Sequence, residues 1–247
     1  MGFDSSKHKA IESEDGSYTA YSTEFGEHYH STKDGALHES LSKHVLPALK
    51  HTQSKDEITI LDICFGLGFN TFATLYALSG RDKKINIYSH EFDKELIASL
   101  KHFNYPKEFE ELEEIITSIS EEGKYESDKL NITIYLGDAR EFVRTTDVKF
   151  DIVYQDAFSP SSNPLLWTDE YFNDISSLMK EDAILTTYSI SLPTRIALYE
   201  NGLNVYLHKG EGFRSSTLAS KSILNEYDTV DVEHKMACNP RIRALHD

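Results

Sequence analysis

Two glycines spaced as Gly66-x-Gly68 directly follow a run of strand-forming residues, Ile58–Cys64, and precede an apolar helix pattern. A strand, a glycine turn and a helix in this order are typical of a cofactor loop, because the first N–H groups of the helix have no partner inside it. The third glycine of the dinucleotide motif is missing, and so is the Gly-Lys-Ser/Thr of a phosphate-binding loop. We therefore predict a nucleoside-type cofactor at Phe65, Gly66, Gly68 and Asn70, with a tight turn that binds no ligand as the alternative.

Two acidic residues follow the next predicted strands. Glu91 ends the predicted strand Ile85–Glu91, twenty-five residues beyond Gly66. A carboxylate at this position can accept hydrogen bonds from the ribose hydroxyls of a bound nucleoside. Asp138 lies where a carboxylate accepts from an adenine amino group, next to Ala139, although a helix N-cap would also explain it. An acid for ribose, an acid for adenine and a loop without a phosphate-binding lysine together indicate S-adenosylmethionine as the cofactor.

Asp156 follows another predicted strand, Phe150–Gln155, and begins a loop stiffened by proline. A carboxylate there can take a proton from a reacting amine or orient the amine for attack on a methyl group. We predict that Asp156 is the catalytic residue and also touches the cofactor. Phe158 and Trp167 are candidates for stacking on a substrate base, with core packing of the loop as the alternative for Trp167.

The segment Glu27–Ser31 contains two histidines, His28 and His30. A spacing of two residues is not that of a helical ligand pair, and no third ligand has a telling spacing. We therefore predict no metal site. His30 is instead expected to contact the cofactor or the wall of the active site.

The composition limits the class of protein. A chain of 247 residues fits one α/β domain, and its two cysteines, Cys64 and Cys238, suggest neither a disulfide framework nor a metal site. No apolar run reaches the roughly 18 residues of a membrane helix, and residues 1–14 are polar rather than signal-like. We predict a cytoplasmic protein with no membrane contact, and a monomer.

The charge is strongly acidic, with 25 basic and 41 acidic residues and a net charge of −16. Such a charge opposes long-range attraction of nucleic acid. Residues 108–128 alone hold nine acids and one base, which favours a solvated helix face and loop. Because Lys209 and Arg214 lie among the bases of the C-terminal third, a locally basic face on an acidic protein remains open.

These candidate residues are separated by alternating strand and helix patterns, which predict an α/β fold with a mostly parallel, seven-stranded sheet covered on both faces. The last two predicted strands, Leu203–His208 and Ser216–Ile223, form an antiparallel hairpin. A small hairpin and a helix over 36–49 precede the sheet. We expect an N-terminal extension at 1–50, a cofactor-binding domain at 51–230 and a tail at 231–247.

At these residues the chain resembles the methyltransferase domain of the MnmC family. The matching motifs run in order through the chain: Asp15-Gly16-Ser17, Glu27–Ser31, Gly35–Ser40, Phe65-Gly66-x-Gly68-x-Asn70, Glu91, Gly137-Asp138, Asp156-Ala157-Phe158-Ser159-Pro160, Asn163-Pro164, Trp167-Thr168, Thr186, Tyr188-Ser189 and Gly210-x-Gly212 with Arg214. The aspartate-to-tryptophan run is the specific part, whereas the glycine loop is generic to methyltransferases.

The resemblance implies a Rossmann-like class I methyltransferase that modifies the wobble uridine of tRNA. The implied reaction is S-adenosylmethionine-dependent N-methylation of 5-aminomethyluridine, or its 2-thio form, to the 5-methylaminomethyl nucleoside, with Asp156 beside the reacting amine. Lys209 and Arg214 would then contact the tRNA. The chain carries no flavin fingerprint, so it resembles the stand-alone form that lacks the oxidoreductase domain.

Three alternatives keep the fold. The first is a methyltransferase for a small amine or a protein. The second is an aminopropyltransferase resembling spermidine synthase, which would show further acids around a polyamine pocket. The third is a cofactor-fold binding module without activity, against which the acids at 91 and 156 argue.

Overall fold

The computed structural model describes residues 2–247. The N-terminal part of these residues forms a small antiparallel sheet of three strands. The strands are β1 (His8–Glu12), β2 (Tyr18–Ser22) and β3 (Glu27–His28). The turn between β1 and β2 contains the predicted Asp15-Gly16-Ser17, where the Asp15 carboxylate accepts a hydrogen bond from the Ser17 N–H at 3.0 Å. The hairpin expected from the sequence is therefore part of a three-stranded sheet.

The predicted helix over 36–49 is a continuous helical run with a change of pitch. It consists of α1 (Ala36–Glu39), a π-helical segment (Ser40–Val45) and α2 (Leu46–His51). Pro47, at the start of α2, has no N–H to donate to the preceding turn. The wider π-helical turn directly before Pro47 brings His44 to a buried position.

Nine strands within residues 2–247, including the seven predicted, form the main sheet. They are β4 (Glu57–Ile63), β5 (Lys84–Glu91), β6 (Lys124–Glu126), β7 (Leu130–Leu136), β8 (Phe150–Gln155), β9 (Met179–Thr187), β10 (Asn204–His208), β11 (Ser216–Ser220) and β12 (Asp228–Thr229). Their order in the sheet is β12-β10-β11-β9-β8-β4-β5-β7-β6. The four pairings at its centre, among β7, β5, β4, β8 and β9, are parallel.

Helices cover both faces of this sheet. They are α3 (Phe69–Ala77), α4 (Lys94–Ser99), α5 (Glu113–Glu122), α6 (Ala139–Thr145), α7 (Asp169–Leu178), α8 (Leu192–Glu200) and α9 (Val232–Cys238). Because successive strand residues point to opposite faces, neighbours such as Ile152 and Val153 enter two different apolar cores. Both residues are fully buried, so the strand reads as a continuous apolar run.

The predicted fold class is confirmed, including the antiparallel pairing of β10 with β11 at the C-terminal end. The strand count differs, since the sheet has nine strands within residues 2–247 instead of seven. The two further strands, β6 and β12, are short edge strands of three and two residues, too short to show an alternating pattern in the sequence. None of the helices in this range is both long and apolar enough to cross a membrane.

Candidate active site

A cavity of about 910 Å³ opens at the carboxyl ends of the parallel strands. Its volume is in the range of small-molecule sites. Three parts of the chain form its wall: the N-terminal sheet and the segment after it, the loops after β4, β5, β7 and β8, and residues near 190 and 214. The predicted site residues in this wall are His30, Gly66, Glu91, Asp138, Ala139, Asp156, Phe158 and Arg214.

The glycine loop turns sharply between β4 and α3, with positive φ angles of 54° at Gly66 and 74° at Gly68. A Cβ atom on Gly68 would lie 2.5 Å from the Phe72 ring and 2.8 Å from the Phe65 ring, and one on Gly66 would lie 3.0 Å from Tyr29. Packing of aromatic rings, as well as the turn, therefore requires glycine. Gly66 lines the cavity, whereas Phe65 and Gly68 lie behind it.

Glu91 occupies the end of β5 and is tied to the glycine loop. Its Oε2 accepts a hydrogen bond from the Gly66 N–H at 2.9 Å, and its Oε1 accepts from the N–H groups of Phe92 and Asp93 at 2.8 and 2.9 Å. Burial raises the pKa of Glu91, although these three hydrogen bonds act to lower it. A carboxylate offers about four lone-pair positions, so one position on Oε2 is left for a further donor. The N-terminus of α4 is capped by the neighbouring Asp93.

Asp138 is a helix N-cap and also a residue of the cavity wall, so its two predicted roles do not exclude each other. It caps α6, where its Oδ1 accepts from the Arg140 N–H at 2.7 Å, and it also lines the cavity together with Ala139. His90, one residue before Glu91, lines the same wall. Its buried Nε2 has no hydrogen-bond partner within residues 2–247, and burial lowers the pKa of the ring to about 4.

Asp156 lies at the cavity wall, directly after β8. Its Oδ2 accepts a hydrogen bond from Nδ2 of Asn70 at 2.8 Å, and its Oδ1 is 3.4 Å from Nε2 of His44. This contact is within ion-pair distance but is not a well-aligned hydrogen bond. Burial would raise the pKa of Asp156, but His44, His30 and Asn70 together outweigh burial and hold that pKa below its usual value.

The loop that follows Asp156 is fixed by three side chains from outside it. Trp167 donates its indole N–H to the Phe158 carbonyl at 2.8 Å, and Tyr188 donates its hydroxyl to the Ala157 carbonyl at 3.0 Å. Glu27, on β3, accepts from the Ser159 N–H at 3.0 Å and from both the Ser159 and Ser162 hydroxyls. The loop is thus held from the sheet side and from the N-terminal side.

An aromatic wall extends from this loop to the N-terminal sheet. The Phe158 ring stacks on Phe25 at 4.6 Å between centroids and meets the edge of Tyr29 at 5.0 Å. His30 lies edge-on to Phe69 at 4.8 Å, and burial lowers the pKa of its imidazole. Because Phe25 already covers one face of Phe158, at most the remaining face is open to a ligand.

Besides Phe65 and Gly68, three predicted site residues lie away from the cavity wall. The Trp167 ring is fully buried, so it cannot stack on a base without leaving its core packing, and the alternative of core packing describes it. Lys209 lines a separate groove and pairs with Asp228 at 3.0 Å. Asn70 contacts Asp156 rather than the cavity itself.

Comparison with known proteins identifies the family. The crystal structure of MnmC2 from Aquifex aeolicus superposes with a TM-score of 0.83 and 31% identity, over 100% of this chain and 81% of that one. The chain belongs to the MnmC2 family. Residues 104–222 also match the family model described as S-adenosyl-L-methionine-dependent methyltransferase. These two matches confirm the fold class and the cofactor, S-adenosylmethionine, that the sequence predicts for this chain.

Two curated relatives are longer than this chain. An uncharacterised protein of Methanocaldococcus jannaschii is 33% identical over 221 residues, which cover 87% of this chain and 60% of the relative. The tRNA 5-methylaminomethyl-2-thiouridine biosynthesis bifunctional protein MnmC of Azoarcus sp. is 29% identical, over 84% of this chain and 34% of the relative. The MnmC2-type chain thus spans about a third of the bifunctional relative.

Several residues of this MnmC2-type cavity were missed by the sequence analysis as site residues. Glu27 and Tyr188 fix the loop, while Glu39 and Lys43 form an ion pair in the wall. His44 gives a usable signal, since a histidine on the apolar face of a predicted helix must find a buried partner. Glu27 and Tyr188 belong to motifs of the family resemblance, but no local pattern shows their contacts with the loop, because their partners lie more than 30 residues away in the chain.

The wall of the cavity is acidic. It contains seven carboxylates (Glu24, Glu27, Glu39, Glu91, Asp93, Asp138 and Asp156) and four lysine or arginine side chains (Lys33, Lys43, Arg140 and Arg214). No group of three or more His, Cys, Asp or Glu residues within residues 2–247 has a metal-binding arrangement. An acidic cavity favours cationic ligands, such as a sulfonium or an ammonium group.

Proposed function

We propose that this chain transfers a methyl group to the amine of 5-aminomethyluridine, or of its 2-thio form, at the wobble position of tRNA. The observation that carries the proposal is Asp156, a carboxylate held ionised at the wall of an acidic cavity by Asn70 and His44. The name of the MnmC relative indicates the nucleoside. Such a substrate also favours the cytoplasm as the location of the enzyme.

The donor groups of the wall fit S-adenosylmethionine. Glu91 has one lone-pair position free for a ribose hydroxyl, and the second oxygen of Asp138 can accept from the adenine amino group. The N–H of Ala139, at the start of α6, has no partner within the helix and suits a ring nitrogen. The unpartnered Nε2 of His90 is a further polar atom suited to a nucleoside.

When bound, the cofactor supplies an electrophilic methyl group on a sulfonium. The attacking nitrogen needs a free lone pair, so the ammonium form of the substrate must first release its extra proton to solvent, and the neutral amine then forms the N–C bond as the S–CH3 bond breaks. Asp156 accepts an N–H hydrogen bond and orients the amine. Because the pKa of Asp156 is lowered, the residue stays ionised and stabilises the positive charge that the nitrogen acquires during methylation.

The substrate side of the cavity combines an aromatic and a basic component. The open face of Phe158 suits a uracil ring, since base–aromatic stacking contributes about 1–3 kcal/mol. Arg214 is an exposed residue of the wall and suits a phosphate next to the modified nucleotide. Lys209 is not part of this proposal because it lies in another groove.

The acidic wall also supports a second candidate, which is transfer to a free polyamine or another small amine. Glu24, Glu27 and Glu39 would then contact the additional ammonium groups. Glu27, however, already accepts hydrogen bonds from Ser159 and Ser162, so its charge is engaged by the loop.

The purified chain should be incubated with labelled S-adenosylmethionine and with bulk tRNA from a strain that lacks the 5-methylaminomethyl modification. We expect label in tRNA, and nucleoside mass spectrometry should show the methylaminomethyl product. Free amines and polyamines should remain unlabelled. Labelled free amines beside unlabelled tRNA would instead establish the second candidate.

In the same assay Asp156→Asn should lower turnover at least about tenfold, while cofactor affinity changes little. The amide keeps the size of the side chain but loses the negative charge that faces the reacting nitrogen. Asp128→Asn, at an exposed position in the acidic segment, is the matched control. Normal turnover in Asp156→Asn would remove the proposed role of this residue.

A further inference from the structure

His44 lies in the π-helical segment Ser40–Val45 and is fully buried. Such segments are rare and occur frequently at functional sites. The ring packs edge-on to Tyr154 of β8, with 6.1 Å between centroids. It is not part of the cavity wall, so any effect on the reaction must pass through a neighbour.

The neighbours of the imidazole are polar on both sides. Nδ1 lies 3.0 Å from the Thr186 hydroxyl on β9, and Nε2 lies 3.4 Å from Oδ1 of Asp156. Nε2 has no well-aligned hydrogen-bond partner within residues 2–247. The amide of Asn70 holds the other oxygen of the same carboxylate at 2.8 Å. Each oxygen of the Asp156 carboxylate therefore has a neighbouring side-chain nitrogen, from His44 at Oδ1 and from Asn70 at Oδ2.

We propose that His44, fixed by Thr186, is a positioning residue that holds the Asp156 carboxylate in the orientation required at the cavity wall. If the Thr186 hydroxyl donates to Nδ1, the neutral ring carries its proton on Nε2 and directs it at Asp156. The protonated ring also directs an N–H at Asp156. The contact is therefore kept in both charge states of the imidazole.

The surroundings of His44 make Asp156 its main charged partner. The titratable groups that face the ring are Asp156 after β8, Asp62 on β4, His30 from the N-terminal segment and His208 on β10. Asp62 is occupied by the hydroxyl of Thr71 at 2.8 Å. His208 contacts the Ser42 carbonyl at 2.9 Å. Asp156 alone combines a short distance to Nε2 with access to the cavity.

The first test needs no substrate. Carbon-13 NMR of aspartate-labelled protein, with the Asp156 signal assigned through Asp156→Asn, gives the pKa of this carboxylate. We expect His44→Phe to raise that pKa by about one unit or more, because it removes the N–H donor beside the carboxylate. His44→Gln, which keeps a donor, should give a smaller rise. An unchanged pKa in folded His44→Phe would overturn the proposal.

The second test uses turnover and rests on the proposed function. Thr186→Val keeps the size of the side chain but releases Nδ1, and we expect about a tenfold fall in kcat with KM and cofactor affinity within twofold of wild type. Thr187→Val, an equally buried neighbour on β9, should retain wild-type kcat. Wild-type kcat in Thr186→Val would contradict the proposal. If wild-type protein leaves tRNA unmethylated, the proposed function fails, while the NMR test still decides the role of His44.

Discussion

Asp62, near the end of β4, and Asp156, directly after the neighbouring β8, show how environment sets the charge of a carboxylate. Asp62 is fully buried and Asp156 is partly buried at the cavity wall, yet their pKa values move in opposite directions. Asp156 has cationic or donor neighbours on both oxygens and stays ionised. Asp62 is fully enclosed, so burial raises its pKa to about 7 in spite of the hydrogen bond from Thr71. This difference supports Asp156 as the proposed catalytic carboxylate.

The buried Asp62 predicts a pH dependence of stability. Its pKa in the folded state, about 7, is above the value of about 3.9 for an unfolded chain, so between these values the folded state binds a proton that the unfolded state does not. Stability contributed by this group is present at low pH and is lost as pH rises to 7. We expect Asp62→Asn to gain about 2–3 kcal/mol relative to wild type on going from pH 5 to pH 8.

Urea unfolding of both proteins at the two pH values measures this difference. Any constant effect of the amide on packing cancels, because the prediction concerns the change with pH. A stability difference between Asp62→Asn and wild type that is the same at pH 5 and pH 8 would contradict the raised pKa.

The sequence predicts the site residues that directly follow a strand better than the site residues that come from distant parts of the chain. Glu91, Asp138 and Asp156 could be placed in one cavity because the carboxyl ends of parallel strands share one edge of the sheet. Trp167 could not be placed, since the same loop sequence fits a stacking ring and a core ring. The contact of His44 with Asp156 depends on a π-helical turn, which a helical repeat does not reveal.

The N-terminal sheet acts as a clamp, because it contacts the cavity wall in two places. Beside Glu91, Nε2 of His8 lies 3.1 Å from the Asp93 carboxylate, and the Tyr29 hydroxyl lies 3.1 Å from Nδ1 of the same histidine. At the other place, Glu27 accepts a hydrogen bond from the Ser159 N–H. This sheet therefore fixes the loop that follows Asp156.

Replacing Glu27 tests this clamp. Glu27→Ala removes the acceptor for the Ser159 N–H and for two hydroxyls, and a hydrogen bond to a charged group contributes about 1.5–3 kcal/mol. We expect kcat/KM for tRNA methylation to fall about 10- to 100-fold, since the Asp156 loop loses its fixed position. Hydrogen exchange at residues 157–163 should become faster.

Glu12→Ala is the matched control, because Glu12 is an exposed glutamate at the end of β1 in the same sheet. Hydrogen exchange in the loop as slow as in wild type, together with full activity of Glu27→Ala, would show that the clamp is not needed. The sequence predicted a hairpin here, yet the docking of this sheet on residues 157–163 links positions about 130 residues apart. No local pattern reports such a contact.

At the scale of the whole molecule, half of the acidic excess lies in one segment that does not line the cavity. Residues 108–128, with nine acids, contribute none of the residues that line the cavity. The cavity itself is acidic and suits the small cationic groups that react there. A polyanionic substrate must therefore rely on a few basic side chains at the edge, such as Lys33 and Arg214.

Arg214 is the position at which this arrangement is best tested. Arg214→Ala should weaken tRNA binding about three- to tenfold at 0.1 M salt and reduce the slope of log K against log salt by about 0.7–0.9, the share of one phosphate contact. Lys209→Ala is the comparison, because Lys209 lies in a separate groove and pairs with Asp228. We expect it to have the smaller effect on both quantities. Since neither residue touches the reacting nitrogen, kcat at saturating tRNA should stay near wild type in both variants. Equal losses of affinity in the two variants would instead extend the tRNA surface to the groove around Lys209.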